Sequence, residues 1–425
     1  MTQRHAGHTE KTRLKLSMSS ASSVFKFSLE TYSLTLSYLI QNGEVHDGSG
    51  AAPQRVDVRI ADGVIREIGP NLKAEGEQLI EADGLIVAPG LIDLHTHVFT
   101  GMGLYSVDPV DAGLRTGVTS MLDTGTAGSL SYPNFERFII SEAEEDIFAL
   151  LNISMLGALQ GHPKFPPYMG DLNDGRHADV PSAVACVKRF PKRIVGMKVR
   201  LTSGLANYQE ENEWAGFHGV FESSDQLGLP CMIHHAASKI PNTKVFQTLR
   251  AGDVYTHLYN PNSDHGFDQH GAPLEALQEA RARGVLFDVG HGVGAFAWRV
   301  AEPACQKFGF WPDTISTDIH QYNLHGPVFD LPTTMSKFLY LGMPLEQVIR
   351  ATTSVPAEAM RLQDRLGLLH ADRQADIVLL KRERGEFPLT DVEGQVRIGH
   401  ERLVPISVCK RGSWTQCGAQ AIPKC

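Results

Sequence analysis

Eight short apolar runs, separated by segments of helix-like composition, constrain the fold of this 425-residue chain more than any other feature. One intervening segment, 273–283, has helical periodicity and is followed by Gly284, a residue typical of a helix C-terminus. The alternation favours parallel strands in a closed α/β fold, a (β/α)8 TIM-like barrel. The runs are 91–94, 118–122, 150–156, 194–199, 231–234, 254–258, 285–289 and 314–318.

Short strand-like stretches flank this barrel region on both sides. Before it lie 38–40, 56–60 and 64–68, and after it lie 375–380, 395–398 and 404–408. Neither set is long enough to bury a sheet face alone, so we expect both chain ends to pair in one small β-sandwich domain. The expected boundaries are 34–88 for the N-terminal segment of the sandwich, 89–368 for the barrel, and 369–425 for the C-terminal segment of the sandwich with a tail.

Residues 1–33, with a serine cluster at 17–23 and no periodic apolar face, predict a poorly ordered leader. The leader lacks the apolar core of a secretory signal, and no later stretch reaches the roughly 18 apolar residues that span a bilayer. The net charge of -9 is spread without acidic or basic blocks, so neither nucleic acid nor a membrane is an expected partner. The six cysteines form no CxxC pair, which favours reduced thiols and a cytoplasmic protein. Assembly into a homo-oligomer is left open.

Residue types that bind metals recur where the predicted strands end, which is where a barrel gathers its chemistry. The first run leads into His95 and His97, which point to the same face of an extended strand because they are two residues apart. Each residue alone also has a structural interpretation, such as a core hydrogen bond or a helix cap. Their gathering at five strand ends favours a metal site, and the later members are Lys198, His234, His257 and Asp318.

At these positions the chain resembles the amidohydrolase superfamily of metal-dependent hydrolases, and within it the dihydroorotase-like deacetylase group. The resemblance extends roughly from 34 to 414. It is carried by Pro-Gly-Leu-Ile-Asp-Leu-His-Thr-His at 89–97, Gly-Met-Lys at 196–198, Met-Ile-His at 232–234, Thr-His at 256–257 and Ser-Thr-Asp at 316–318.

The resemblance implies a binuclear site for two divalent metal ions. One ion would be bound by the residues at 95, 97 and 318, and the second by those at 234 and 257. Lys198 would bridge both ions as a carbamate formed with CO2, and Asp318 would take the proton of the attacking, metal-bridging hydroxide. His234 is expected to be the ligand in place of the adjacent His235 because it matches the family position. Zinc suits imidazole and carboxylate ligands, although manganese, iron or cobalt could also bind.

The stretch after His97 bears on the substrate. Dihydroorotases and hydantoinases usually place an arginine or another dedicated polar residue there to hold a cyclic substrate, whereas 98–103 reads Val-Phe-Thr-Gly-Met-Gly. We therefore expect a deacetylase or amidohydrolase that cleaves a small N-acyl or O-acyl carboxylic acid. Arg200 is expected to bind the substrate carboxylate, and His291 to contact the substrate.

Other interpretations remain open. Arg200 could equally be a surface arginine on a loop. The chain could be a cyclic amidohydrolase of the dihydroorotase or hydantoinase type, or a non-catalytic protein with an amidohydrolase fold, because a fold alone does not decide function.

Overall fold

A computed structural model describes residues 37–103, 105–158, 169–262 and 264–418, so the predicted leader lies outside the described residues. The strands in chain order are β1 (Ser37–Gln41), β2 (Glu44–Val45), β3 (Gln54–Arg55), β4 (Asp57–Ala61), β5 (Val64–Gly69), β6 (Gln78–Glu81), β7 (Ile86–Pro89), β8 (Leu91–Thr96), β9 (Val118–Thr124), β10 (Asp146–Asn152), β11 (Ile194–Leu201), β12 (Cys231–His235), β13 (Val254–Thr256), β14 (Leu286–Phe287), β15 (Ile377–Thr390), β16 (Val396–Lys410) and β17 (Ser413–Gln416). The α-helices are α1 (Pro109–Ala112), α2 (Tyr132–Phe135), α3 (Val180–Arg189), α4 (Glu210–Leu227), α5 (Asn242–Thr248), α6 (Glu275–Ala282), α7 (Trp298–Glu302), α8 (Leu331–Leu341), α9 (Leu345–Arg350) and α10 (Ser354–Ala359).

Strands β8 to β14 form a seven-stranded sheet in which every neighbouring pair is parallel. The segment 314–319 lies between β14 and β8, and isolated parallel bridges join it to both sides. Val289 N donates to Thr314 O at 3.1 Å, and His97 N donates to Ile319 O at 3.0 Å. The eighth predicted run therefore closes a TIM-like barrel as an irregular segment, not as the regular strand that the sequence predicted.

The third barrel strand begins earlier than predicted, at Asp146 and not at residue 150. Asp146 is charged yet buried, because its carboxylate accepts a hydrogen bond from Lys410 Nζ at 2.9 Å. Residues 147–149 are themselves apolar, so at the start of this strand only Asp146 lies outside the apolar pattern. The strand also ends earlier, where Ser154 N donates to the Asn152 side chain at 2.9 Å.

Apolar side chains from successive barrel strands form one buried interior cluster, which includes Ile92, Leu122, Leu150, Met232 and Val254. A larger cluster packs the outer face of the strands against the surrounding helices. Polar side chains gather instead at the carboxyl ends of the strands, as is typical of this fold.

The two chain ends meet in the β-rich part of the molecule. One sheet has the order β5-β4-β1-β6, and another has the order β17-β16-β15-β7-β2-β3. In the second sheet β7 pairs antiparallel with β15, so segments from both sides of the barrel share a sheet. Ile40, Val58, Val87 and Ile377 belong to one core shared by the two sheets. The β-sandwich and the domain boundaries themselves stay predictions.

Strands β15 and β16 are 14 and 15 residues long, much longer than the sequence predicted. The charged stretch 381–386 has no apolar alternation that would extend the predicted strand, yet pairing with β16 keeps it extended. A hairpin of this length reaches far beyond the β-rich part of the molecule.

Two further observations bear on the sequence predictions. Within the described ranges, no helix combines the length and the hydropathy needed to cross a lipid bilayer. The five cysteines that the structure describes are all free, and four of them are buried.

Candidate active site

A cavity of about 470 Å³ opens at the carboxyl ends of the barrel strands. Five of the six predicted metal-binding residues line it: His95, His97, His234, His257 and Asp318. The fold therefore brings together side chains that lie up to 223 positions apart, the difference between 318 and 95.

His95 and His97 approach the same carboxylate oxygen. Asp318 Oδ1 lies 3.4 Å from His95 Nε2 and 3.1 Å from His97 Nε2. The register between β8 and β9 shifts between Asp93 and Thr96, so the strand departs from a regular pleat just where the two histidines lie. Such irregularities commonly redirect side chains near functional sites.

His234 and His257 form the second pair of rings. His257 Nε2 lies 2.8 Å from His234 Nδ1, and Thr202 Oγ1 lies 3.2 Å from His234 Nε2. The ring of His235 points elsewhere, since its Nε2 lies 2.7 Å from Ile240 O and the side chain is fully buried. The alternation of a strand thus turns His234, not His235, toward the cavity.

A buried hydrogen-bond chain orients His95. Thr256 donates its hydroxyl to Asp288 at 2.7 Å, so the Thr256 oxygen accepts from His95 Nδ1 at 3.0 Å. The chain places the ring proton on Nδ1 and leaves the Nε2 lone pair facing Asp318. Metal-binding histidines in proteins are oriented in this way.

The other rings have comparable partners. His97 Nδ1 lies 2.7 Å from Thr126 Oγ1, and His257 Nδ1 donates to Gly290 O at 2.6 Å. In each of these two rings Nδ1 contacts an oxygen, which leaves Nε2 directed at the cavity.

Burial also sets the protonation of these rings. It lowers the pKa of His257 to about 4 and the pKa values of His95, His97 and His234 well below the ordinary range. Neutral imidazole is the form that binds metal ions.

Lys198, the sixth predicted metal-binding residue, is fully buried and does not line the cavity. Burial lowers the pKa of its amine to about 7. Among the described residues its Nζ has one recorded hydrogen-bond partner, Met232 Sδ at 3.2 Å. A weakly paired amine with a low pKa is neutral often enough to react with CO2.

The donor set fits divalent metal ions. One potential ligand atom from each of His95, His257 and Asp318 lies within 4.8 Å of the other two, which is close enough for the three to contact one metal ion. Four neutral imidazoles and a carboxylate are the ligand types that zinc and related ions prefer.

The backbone around the site is strained at two of these residues. His257 has φ 65° and Asp318 has φ 49°, values that side-chain-bearing residues rarely adopt. A Cβ atom on Gly290 would overlap Thr256 Oγ1 and lie 3.0 Å from His95 Nδ1, so only glycine fits there. The loop after β14 therefore packs directly on the histidines.

Arg200 lines the cavity, but its guanidinium is paired with a carboxylate. Its Nε donates to Asp171 Oδ2 at 2.8 Å, and a second, shorter contact joins the same two side chains. Asn152 also donates to Asp171 at 3.1 Å. The ion pair holds Arg200 in place and offsets part of its charge.

His291 does not line the cavity. Its Nε2 lies 2.6 Å from Lys337 Nζ, and its ring stacks on Phe296 at 4.8 Å between ring centres. The predicted contact of His291 with a substrate therefore has no support from its position, because the ring is directed into the core.

Other residues at the site were not predicted. Tyr105 OH lies 3.0 Å from His97 Nδ1, and Val392 and Glu393 of the β15–β16 turn line the cavity. Asp288 lies within the seventh apolar run, so a charge at that strand end could have indicated a role. No sequence signal marks Tyr105 or the turn.

Residues 86–399 match the sequence model of the amidohydrolase family. Over 354 residues the chain is 32% identical to a protein named Deacetylase from Agrobacterium fabrum, covering 82% of this chain and 84% of that protein. A solved dihydroorotase structure is 28% identical with a TM-score of 0.79, covering 90% of this chain and 100% of that one. An adenine deaminase structure is 27% identical with a TM-score of 0.81 and the same coverage.

Proposed function

The chain belongs to the amidohydrolase family, and on this basis we propose that it removes an acyl group from a small N-acyl or O-acyl carboxylic acid. The observation that carries the proposal is that four histidines and Asp318 line one cavity, while Lys198 is fully buried. The relative named Deacetylase, which aligns with 82% of the chain, supports an acyl substrate.

We propose that the site would hold two divalent ions, and the ligand types favour zinc. His95, His97 and Asp318 would hold one ion, and His234 and His257 would hold the other. Lys198, as a carbamate, would contribute an oxygen to each. When bound, such a pair of ions polarises water and the scissile carbonyl and lowers the pKa of water toward neutrality.

The chain's own groups then position and move the proton. The Asp318 carboxylate lies beside His95 Nε2 and His97 Nε2, where it accepts the proton of the attacking water and delivers it to the leaving nitrogen or oxygen. The cavity buries the reacting groups, since His95, His97 and His257 are each at most 3% exposed. Limited water access strengthens electrostatic interactions at the site.

Arg200 is proposed to contact the carboxylate of the substrate. It is the cavity-lining guanidinium among the described residues, and Asp171 fixes its orientation. The stretch 98–103 contains no arginine, which supports an acyclic acid over a cyclic substrate.

The proposal is tested with a substrate panel and metal-replete protein. We expect release of acetate from N-acetyl amino acids or O-acetyl hydroxy acids, and loss of this activity after removal of metal with a chelator. Lys198→Ala should lose activity and metal, and added propionate should restore part of both by supplying an anionic bridge. Lys188→Ala, at an exposed lysine, is the matched control and should behave as wild type.

Two results would contradict the proposal. Turnover of dihydroorotate or hydantoins without turnover of any acylated acid would make the chain a cyclic amidohydrolase. If the enzyme does cleave acylated acids, Arg200→Met should chiefly raise KM for substrates with a free carboxylate, and an equal loss on their neutral amides would exclude the contact.

A further inference from the structure

The hairpin formed by β15 and β16 connects the β-rich part of the molecule with the cavity. At its base Ile377 pairs with Pro89, just before the first barrel strand begins. Along its length it packs on α8, where Leu403 N donates to Ser336 Oγ at 3.0 Å. At its far end the turn 391–395 reaches the cavity, which Val392 and Glu393 line.

The turn is held firmly against the barrel. Trp298 donates its backbone N–H to Asp391 Oδ2 at 2.9 Å, and its indole N–H contacts Leu389 O at 3.2 Å and Gln395 O at 3.1 Å. Trp298 is fully buried. These bonds fix the last part of β15 and both ends of the turn.

Further contacts fix the turn itself. Val392 N donates to Phe296 O at 3.1 Å, and Asp391 Oδ1 accepts from Glu393 N at 2.9 Å. Arg299 Nε donates to the Glu393 carboxylate at 2.9 and 3.1 Å. Val392 and the residues on both sides of it thus form hydrogen bonds to the chain that follows β14, and these bonds fix the position of Val392.

The wall around Val392 differs in chemistry from the cavity floor. Val293 and Ala295, from the loop that Val392 contacts, line the same cavity and offer no hydrogen-bonding side chain. Leu205 and Ala237 add apolar surface to the lining. The charged neighbour of Val392, Glu393, also lines the cavity, with its carboxylate paired to Arg299. Such a wall contacts an apolar part of a ligand more favourably than a charged one.

We propose that Val392 determines which acylated acids the enzyme accepts, by limiting the size of an apolar substituent on the acid half of the substrate. The inference rests on the proposed function and adds the substrate class: acids that bear a hydrocarbon side chain. Trp298 is a positioning residue, because it holds the hairpin turn that presents Val392.

The test uses full-length, metal-loaded protein and three substrates that differ only in side-chain size: N-acetylglycine, N-acetylalanine and N-acetylleucine, or the corresponding O-acetyl hydroxy acids. Val392→Phe should lower the ratio of kcat/KM for the largest to that for the smallest substrate by roughly 10-fold or more, because one or two methylene groups in a tight pocket have effects of this size. Val392→Ala should raise the same ratio.

Val396→Phe is the matched control. Val396 lies on the same hairpin but is 49% exposed and does not line the cavity, so this variant should keep the wild-type ratio. The same added volume is thereby tested inside and outside the cavity.

Trp298→Phe tests the positioning role, because it keeps an aromatic ring but removes the indole N–H. Hydrogen exchange of residues 391–395 should become faster, and the substrate-size ratio should move toward that of Val392→Ala. Faster exchange with an unchanged ratio would exclude a role of Trp298 in specificity.

The outcomes separate the two proposals. Turnover of the series with the same size ratio in wild type, Val392→Phe and Val392→Ala would overturn the inference and leave the proposed function intact. No release of acetate from any acylated acid by the metal-loaded wild type would overturn both.

Discussion

At the level of single residues, the chemistry of the site depends on buried side chains that do not line the cavity but orient the histidines that do. Asp288 is fully buried and accepts hydrogen bonds from the hydroxyls of Thr256, Thr314 and Ser316 at distances of 2.7 to 2.8 Å. Because its oxygens act only as acceptors, they force Thr256 to donate to them and to accept from His95. The carboxylate thereby decides which nitrogen of His95 faces the cavity.

Asp288→Asn should weaken metal binding without changing any proposed ligand. The amide introduces donors among three hydroxyl donors, so Thr256 is no longer compelled to accept from His95. We expect metal affinity, measured by competition with a chromophoric chelator, to fall by roughly 10- to 100-fold. Asp313→Asn, which removes a carboxylate outside the cavity lining, is the control. Equal affinity in wild type and Asp288→Asn would exclude the orienting role.

At the level of secondary-structure elements, α8 begins at a buried cap that links its stability to pH. Asp330 precedes the helix and accepts a hydrogen bond from Thr333 N at 2.7 Å. Burial nevertheless raises the pKa of this carboxyl to about 6, above its usual value of 3.8. Between these two values the folded chain holds a proton that the unfolded chain has released. The contribution of this carboxyl to the free energy of unfolding therefore falls as the pH rises from 3.8 to about 6.

Asp330→Asn should remove this pH dependence while keeping an acceptor at the cap. Relative to wild type, the variant should become more stable as the pH rises. The difference in free energy of unfolding, variant minus wild type, should increase by up to about 3 kcal/mol from pH 4 to pH 7, because a shift of roughly two pKa units has this effect. Urea unfolding at several pH values measures this difference. Asp330→Ala, which lacks the cap acceptor, should lie about 1 kcal/mol below Asp330→Asn throughout. A difference from wild type that does not vary with pH would contradict the prediction.

At the level of the whole molecule, Lys337 on α8 joins three parts of the chain. Its Nζ contacts His291 Nε2 at 2.6 Å, and it donates to Pro327 O at 3.0 Å and to Thr390 O at 2.7 Å. The side chain is fully buried. One amine thus connects the loop after β14, the segment before α8 and the end of β15.

Lys337→Met should destabilise the protein by at least about 2 kcal/mol, because a buried ring nitrogen and two partly buried carbonyl oxygens lose their partner while the side-chain volume changes little. The midpoint of urea unfolding measures the loss. Lys381→Met is the matched control, because Lys381 lies on β15 with its side chain 53% exposed. Equal destabilisation by the two substitutions would show that the buried contacts of Lys337 contribute nothing.

The family, the alternation of strands and helices, and the four histidines and Asp318 that line the cavity could be predicted from the amino-acid sequence. These features are local: strand periodicity puts His95 and His97 on one face, and parallel strands bring their ends to one rim. Their placement at the ends of predicted strands, together with the resemblance to the family, indicated Lys198, His234, His257 and Asp318 before any contact between them was known.

What surrounds these residues depends on packing in three dimensions. The bond from His95 to Thr256 joins positions 161 residues apart, and the bond from Trp298 to Asp391 joins positions 93 apart. No local pattern encodes such pairs, because each depends on how separate elements pack. For the same reason the sequence could not show that Arg200 is paired with Asp171, that His291 is directed into the core, or that a hairpin from the β-rich part of the molecule completes the cavity wall.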